Sequence, residues 1–517
     1  MTVARAAPSD TASRDSGARW PVVLAVVLTS ALEVLDTTIV NVALPHMQAA
    51  FGIATDQTTW ILTSYVVAAV VVMPLTGFFS LRLGRRRLII GAITGFMFFS
   101  VLCGVAQNIE FMVACRLGQG LFGAFLIPLS QSILLTSFPR EKRGQAMAMF
   151  GLGVVVAPIL GPTLGAILTE AFSWRAVFYV NVPVAAFALM MMAGELKRED
   201  TRHVPIDWTG LVLMMLAIGA LQFMLDQGES RDWLNSRLIV TAATLSICAT
   251  ILFVARGWRL PTNIINFALL RDRSFASANL AMIGFGLAMY GTIAMLPLFV
   301  QGLLKYPVLT SGYLFAPRGV AAGFSMVFTG SVLMNRFDPR LLVAAGLVVT
   351  GVGNLMWSEL NLSADFWDLA MPGVVAGLGT GLFFVPMSTV AFQSIDTQHQ
   401  DEASGIYGVM RSLGSSIGIA IVGWQLVRST QMHWNLLIGH VTPFKPAVSA
   451  FLSPLGFDPS SSKGAALLAA QVAAQAQMLA FRDVFRLTGI IAFLMLPLVL
   501  LMRRPSDTVK SGAATHV

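Results

Sequence analysis

The chain has 517 residues, 56% of them hydrophobic and only 12% charged, with a mean hydropathy of +0.74. Soluble domains carry about 25% charged residues, so this balance excludes a soluble globular protein and indicates an all-α polytopic membrane protein. The net charge of +8 is accounted for by basic loops facing anionic lipid and asks for no nucleic acid.

Residues 1–19 form a polar tail with three arginines, and the apolar run that follows is too long for a cleaved leader. It reads as a first span, with the N-terminus cytoplasmic. Apolar runs of about 17 to 25 residues predict fourteen spans, at 21–44, 58–80, 88–107, 110–135, 145–169, 176–194, 208–226, 238–255, 276–301, 310–334, 341–358, 367–390, 403–427 and 484–502. With the N-terminus inside, 22 of the 34 Lys and Arg fall in cytoplasmic segments and 9 in outer ones, five of those in one long stretch. This satisfies the positive-inside rule and places both termini in the cytoplasm.

The first span carries two acids, Glu33 and Asp36, with Thr37 and Asn41 following. A charged side chain at bilayer depth costs about 2.5–3.5 kcal/mol on insertion scales, so two retained acids indicate a use for protons, ions or charged substrates. Their spacing puts the four residues on one helical face. After the second span stand Gly77, Arg82, Gly84 and Arg85-Arg86; after the tenth stand Gly330, Arg336 and Asp338-Pro339-Arg340. A transporter of two six-helix halves would repeat after six spans, and this one repeats after eight, so two spans are inserted between the halves. The expected organisation is a tail 1–19, a six-helix half 20–194, an inserted pair with flanking loops 195–260, five helices of the second half 261–427, a long outer loop 428–482, a last helix 483–502 and a tail 503–517.

The cysteines, Cys103, Cys115 and Cys248, lie in apolar spans at no metal-ligand spacing, and the six histidines are scattered over loops and tails. Neither a metal site nor a catalytic constellation is expected, and there is no Walker motif to couple ATP. The chain reads as a transporter without an enzymatic activity or a cofactor.

Four motifs in order, LDTTIVNVALP at 35–45, Arg116-Leu-Gly-Gln119-Gly120, Gly161-Pro162-Thr-Leu-Gly165, and Trp174-Arg175 followed by Phe178-Tyr-Val-Asn181-Val-Pro183, resemble the fourteen-helix drug:proton antiporters of the EmrB/QacA type in the major facilitator superfamily. The resemblance covers nearly the whole chain, and the stretches 221–233 and 428–482 look most like the EmrB-like members. It implies a major facilitator fold with 14 transmembrane helices arranged 6+2+6. One departure stands out: Leu81 occupies the place of an aspartate that the family associates with holding the halves together, so that contact must be weaker or come from elsewhere.

The resemblance also implies roles. Asp36, Glu33 and Arg116 would couple protons, although Asp36 could be a neutralised structural carboxylate, Glu33 could merely line the cavity, and Arg116 could be a structural clamp. Thr37, Asn41, Gln119, Tyr407 and Arg411 would line the substrate cavity, Arg411 alternatively pinning the second half. Arg82, Gly84, Arg85, Gly161, Pro162 and Gly165 would govern gating. The expected activity is efflux of hydrophobic or amphipathic toxic compounds driven by the proton gradient, by alternating access, from a multi-pass position in a bacterial inner membrane. The partners implied are small substrates, protons, lipid, a periplasmic adaptor of the EmrA type and an outer-membrane channel. A narrow exporter of one metabolite, such as a fatty acid or siderophore, is the alternative on the same scaffold.

Overall fold

A computed structural model describes residues 20–195, 206–259, 265–442, 445–455, 457–458 and 461–502. Both tails, and with them the expected cytoplasmic placement of the termini, lie outside the described residues. The helices at the fourteen predicted spans are α1 Trp20–Phe51, α2 Trp60–Leu83, α3 Arg85–Gly104, α4 Ile109–Ser137, α5 Arg143–Ala171, α6 Asn181–Glu195, α7 Trp208–Gln227, α8 Arg237–Arg259, α9 Arg273–Leu303, α10 Val308–Ser331, α11 Pro339–Ser358, α12 Phe366–Phe392, α13 Gln400–Ile438 and α14 Ser462–Leu500. Twelve of these, all but α6 and α10, are long and apolar enough by themselves to cross a membrane. No strand occurs among the described residues, as expected where lipid offers backbone groups no partner.

Two helices that read as continuous are broken. Pro74 lacks an N–H, and α2 tightens into a 3-10 turn over Met73–Leu75. In α4 the helical segments Ile109–Gly123 and Leu126–Ser137 meet at Ala124 and Phe125. Between α2 and α3 the backbone turns at Gly84, whose φ of 81° favours glycine.

Helix pairing repeats after eight helices. α1 packs on α5 and α6, α2 on α4, and α3 on α4 and α6; correspondingly α9 packs on α13 and α14, α10 on α12, and α11 on α12 and α14. Small residues make the leading pair of each half close: a Cβ on Gly161 of α5 would collide with Thr38 Oγ1 on α1, and one on Gly414 of α13 would lie 2.5 Å from the Ile283 carbonyl oxygen on α9. Such approach replaces hydrophobic driving force, which lipid does not supply, with van der Waals contact. The intervening α7 and α8 pack on each other, and α7 also touches α2 and α13. Their inner ends are fastened by Asp207, which accepts from Arg256 Nε at 3.1 Å and Nη2 at 2.9 Å while capping α7 at Gly210 N. Arg256 holds this carboxyl below the usual carboxylate range.

The outer stretch 428–482, expected as a loop, is mostly helical. α13 continues to Ile438, α14 starts at Ser462, and the two pair side by side, with His433 Nε2 2.8 Å from Asp483 Oδ2. Alanine-rich sequence extends α14 outward and a stretch without Gly or Pro extends α13, and the remaining connection holds a short helix, Pro446–Leu452.

The halves meet along two seams, α2 with α13 and α5 with α10. The two glycines of the repeated segment sit on them: a Cβ on Gly77 would lie 2.5 Å from Glu402 Cβ, and one on Gly330 would lie 2.6 Å from the Gly144 carbonyl oxygen. At the inner end of the first seam Asp401, in the first turn of α13, accepts from Arg85 Nε at 3.1 Å, pairs with Arg85 Nη2 at 3.0 Å, and accepts short hydrogen bonds from Ser80 and Ser132. Arg85 Nη1 also donates to Thr136 Oγ1 at 3.1 Å. The acid missing at Leu81 is thus matched by one from the opposite half. Leu81 and Arg82 are half-buried, and neither is among the groups that bind Asp401. Asp401→Asn should weaken the closed inner seam by about 1.5–3 kcal/mol, the range for hydrogen bonds to charged groups. Faster hydrogen exchange at residues 78–86 and 400–408 is the expected readout, and unchanged exchange would show that the clamp holds nothing.

Candidate functional site

The first half encloses a polar centre drawn from five helices. Asp36 on α1 and Arg116 on α4 are both fully buried, and Arg116 Nη1 lies 2.6 Å from Asp36 Oδ2. A pair taken this far from water holds only where geometry is good and remaining polar atoms are bonded. That condition is largely met. The other Asp36 oxygen accepts from Gln119 Nε2 at 2.9 Å and Asn181 Nδ2 at 2.7 Å. Gln119 lies one turn after Arg116, so both face α1, and its Oε1 accepts from Arg116 Nη1 at 2.7 Å, which turns its amide nitrogen toward the acid. Asn181, the first residue of α6, also donates to Ser100 Oγ on α3 at 3.1 Å, and Ser100 donates to the Phe178 carbonyl at 2.8 Å. On the far side Arg116 Nε donates to the Ile61 carbonyl of α2 at 3.1 Å, and its guanidinium lies 4.3 Å from the Tyr65 ring centroid, a cation–π contact.

Three buried atoms of this centre have no hydrogen-bond partner among the described residues, Arg116 Nη2, Asn181 Oδ1 and the Tyr65 hydroxyl. A proton on Asp36 would leave Arg116 as an uncompensated buried cation, so this geometry accepts a proton only together with a rearrangement around Arg116. Arginine suits the task because it stays charged throughout.

Glu33 does not share these partners. It is 7% exposed and turns to the break in α4, where its Oε2 accepts from Ile127 N at 3.3 Å. The cation that acts on it most strongly is Arg411 of α13, in the opposite half. Arg411 is itself 7% exposed and makes no hydrogen bond or ion pair among the described residues. Nearby Tyr407 places its hydroxyl 3.4 Å from Ser388 Oγ and from Met282 Sδ. The single polar stripe expected on α1 therefore separates: Thr37 bonds its own backbone at Val34 O, 2.8 Å away, and Asn41 is exposed near the outer end. Gln119, expected to line the cavity, is instead a ligand of Asp36. α5 runs unbroken through Pro162, while Gly161 and Gly165 press against Thr38 and Ile39 of α1. Asn181, Ser100 and Tyr65 are members of the centre that the sequence did not single out. Asn181 alone carried a signal, as the polar residue inside a quoted motif at the start of a span.

Comparison with known proteins follows the same lines. The family model described as Major Facilitator Superfamily matches residues 26–419. Fatty acid resistance protein FarB of Neisseria gonorrhoeae is 33% identical, over 96% of this chain and 97% of its own length. Multidrug export protein EmrB of Haemophilus influenzae is 31% identical, over 95% and 96%. The crystal structure of the human organic anion transporter MFSD10 superposes with a TM-score of 0.58 over 92% of this chain and 99% of that one, at 14% identity, and so shares the fold. A multi-pass membrane protein of two pseudo-repeated halves with a family match over most of its length is placed by these findings: the chain belongs to the Major Facilitator Superfamily, in its EmrB-type branch.

Proposed function

We propose that the protein exports hydrophobic or amphipathic toxic compounds in exchange for protons, by alternating access, from a bacterial inner membrane. The observation that carries this reading is the fully buried Asp36–Arg116 pair, an acid at bilayer depth whose charge is balanced inside one half. Relatives named as multidrug export proteins support the substrate class. With the halves closed at the inner end by Asp401, a proton arriving from outside would neutralise Asp36 and free Arg116 to re-pair. Rocking to the inward-open state would follow, and drug binding would then favour release of the proton. One proton entering through about 100 mV delivers about 2.3 kcal/mol, enough for a roughly 40-fold substrate gradient. Gly161, Pro162 and Gly165 serve in this reading to keep α1 and α5 close so that the first half moves as a unit.

A second reading, export of a single metabolite, is favoured by the relative named for fatty acid resistance. Efflux of several unrelated dyes from liposomes would support the first reading, and efflux confined to fatty acids the second.

We further propose that the paired outer ends of α13 and α14 dock a periplasmic adaptor of the EmrA type leading to an outer-membrane channel. The support is the helix Ser462–Leu494, whose outer half stands beyond the predicted last span with apolar residues at 467, 468 and 472.

Three outcomes are expected. Asp36→Asn should abolish uphill export in liposomes under a proton gradient while the protein remains folded and inserted; uphill dye efflux by that variant would defeat the proton role. Arg116→Ala should abolish transport and also lower the melting temperature, since removing one partner of a buried pair costs about 3–5 kcal/mol; an inactive variant as stable as wild type would refute the pairing as a stabilising contact. Replacing residues 440–462 by a Gly/Ser linker should spare transport in liposomes and eliminate drug resistance of whole cells. Full resistance with undiminished adaptor co-purification would rule out docking there.

A further inference from the structure

The inserted helix α7 carries three polar side chains in its last two turns, and they span the seam between the halves. Gln222 is fully buried and donates from Nε2 to Ser416 Oγ on α13 at 2.7 Å and to Asp226 Oδ1 at 2.9 Å. Gln227 donates from Nε2 to Thr59 Oγ1 at 3.3 Å and Thr63 Oγ1 at 3.2 Å, at the outer end of α2. Thr63 also lies beside Asp226, and Phe223 lies against Trp60, ring centroids 5.8 Å apart. α13 packs on α2 over Met73–Leu83 but hardly at all over Trp60–Val72. The two helices are therefore joined at the inner end and part toward the outside, and the end of α7 fills the gap.

Asp226 is a half-buried acid near the outer end of a membrane span with neutral partners. Gln222 on its own helix donates to it and Thr63 of α2 lies beside it, neither of which titrates, and Thr59, Ser416 and Gln227 complete the same uncharged cluster. Arg411, five residues before Ser416, is the nearest charge along α13, and Glu229, Arg231, Asp232 and Arg237 follow in the turn and at the start of α8; no ion pair joins any of them to Asp226 among the described residues. Beside the acid, Gln222 Oε1 is buried with no partner. A carboxylate has nothing to offer that oxygen, whereas a carboxylic acid has an O–H, which the Gln222 amide can receive by turning over. Closing the outer end of the α2–α13 seam, as the inward-open state requires, would press this strut between the halves and remove Asp226 from what solvent it still meets. An ionised acid resists that move and a neutral one does not.

We propose that Asp226 is a second proton-binding residue, on the inserted pair rather than in either half, and that the outer seam closes only when it is protonated. The proton comes from the outer solution, binds a carboxylate oxygen, and is hydrogen-bonded to Gln222; it leaves again when the seam reopens. This assignment rests on the proton-exchange reading above and adds a site to it.

The test uses full-length protein in nanodiscs, with the exposed Cys248 replaced by serine and spin labels at Gln57 and Met432, which flank the seam outside the polar groups. In wild type the long-distance population should dominate at pH 9 and decline as pH falls. Asp226→Asn, permanently neutral and isosteric, should lower that population at pH 9 and move the midpoint of the decline up by roughly one pH unit, the remaining dependence being that of Asp36, while Asp226→Glu should restore the wild-type profile. Ser416→Ala, which cuts the strut without removing the acid, should shrink the amplitude and leave the midpoint in place. A wild-type profile in Asp226→Asn, or a flat profile in Asp226→Glu, would overturn the assignment and leave the Asp36 reading intact. A wild type with no pH response at all would overturn both.

Discussion

An aspartate and an arginine held 2.6 Å apart with no solvent on either organise the first half of this molecule. Neither charge could stay at bilayer depth alone, so helices α1 and α4 must stay together, and α2, α3 and α6 each contribute a group that completes the shell. Among the described residues the second half has no fully buried ion pair. Arg318 of α10 is buried with one guanidinium nitrogen unpartnered, its charge set over the Trp357 ring at 5.5 Å, and Arg411 faces the seam without an ion pair. The halves share a scaffold, yet among the described residues the first holds a fully buried ion pair while the buried Arg318 and Arg411 of the second make none. A carrier built this way is asymmetric in its electrostatics even where its helix pairing is symmetric.

The seams show the same division of labour. Contact between halves includes close approach at Gly77 and Gly330, a hydrogen bond from Arg143 to the Phe392 carbonyl, and, at the inner end of the first seam, a charged cluster around Asp401. The cluster draws its acid from α13 and its donors from α2, α3 and α4, so it exists only while the inner end is shut. Strong but geometry-dependent contacts of this kind suit a latch, since a buried charged hydrogen bond lost by a small rotation gives a sharp energetic step.

Much of this was legible in the chain. Spans follow from the length of apolar runs, because lipid penalises every unpaired backbone group, and that rule operates locally. Asp36 and Arg116 stood out for the same reason: a charge in such a run is conspicuous. Asn181 and Gln119 as ligands of Asp36 were harder to see, since an amide at a helix start or in a cavity motif has many uses and its partner is far away in sequence. Asp401 was hidden by its position, because an acid in the first turn of a helix ordinarily answers the helix dipole. The outer ends of α13 and α14 were harder to place from hydropathy alone, because they lie beyond the apolar runs that define the spans. The breaks in α2 and α4 were signalled by Pro74 and Pro128, but hydropathy alone runs straight across them.

The glycines at the two seams have a consequence for how such a protein can diversify. Main-chain surfaces meeting at Gly77 and Gly330 are the same whatever side chains surround them, so the closing of the inner end does not depend on the identity of residues that line the central space. Substitutions in the cavity can then change what is carried without re-engineering the movement that carries it. A family whose members accept very different cargoes on one scaffold needs that separation, and here it comes down to two missing side chains, one on each seam.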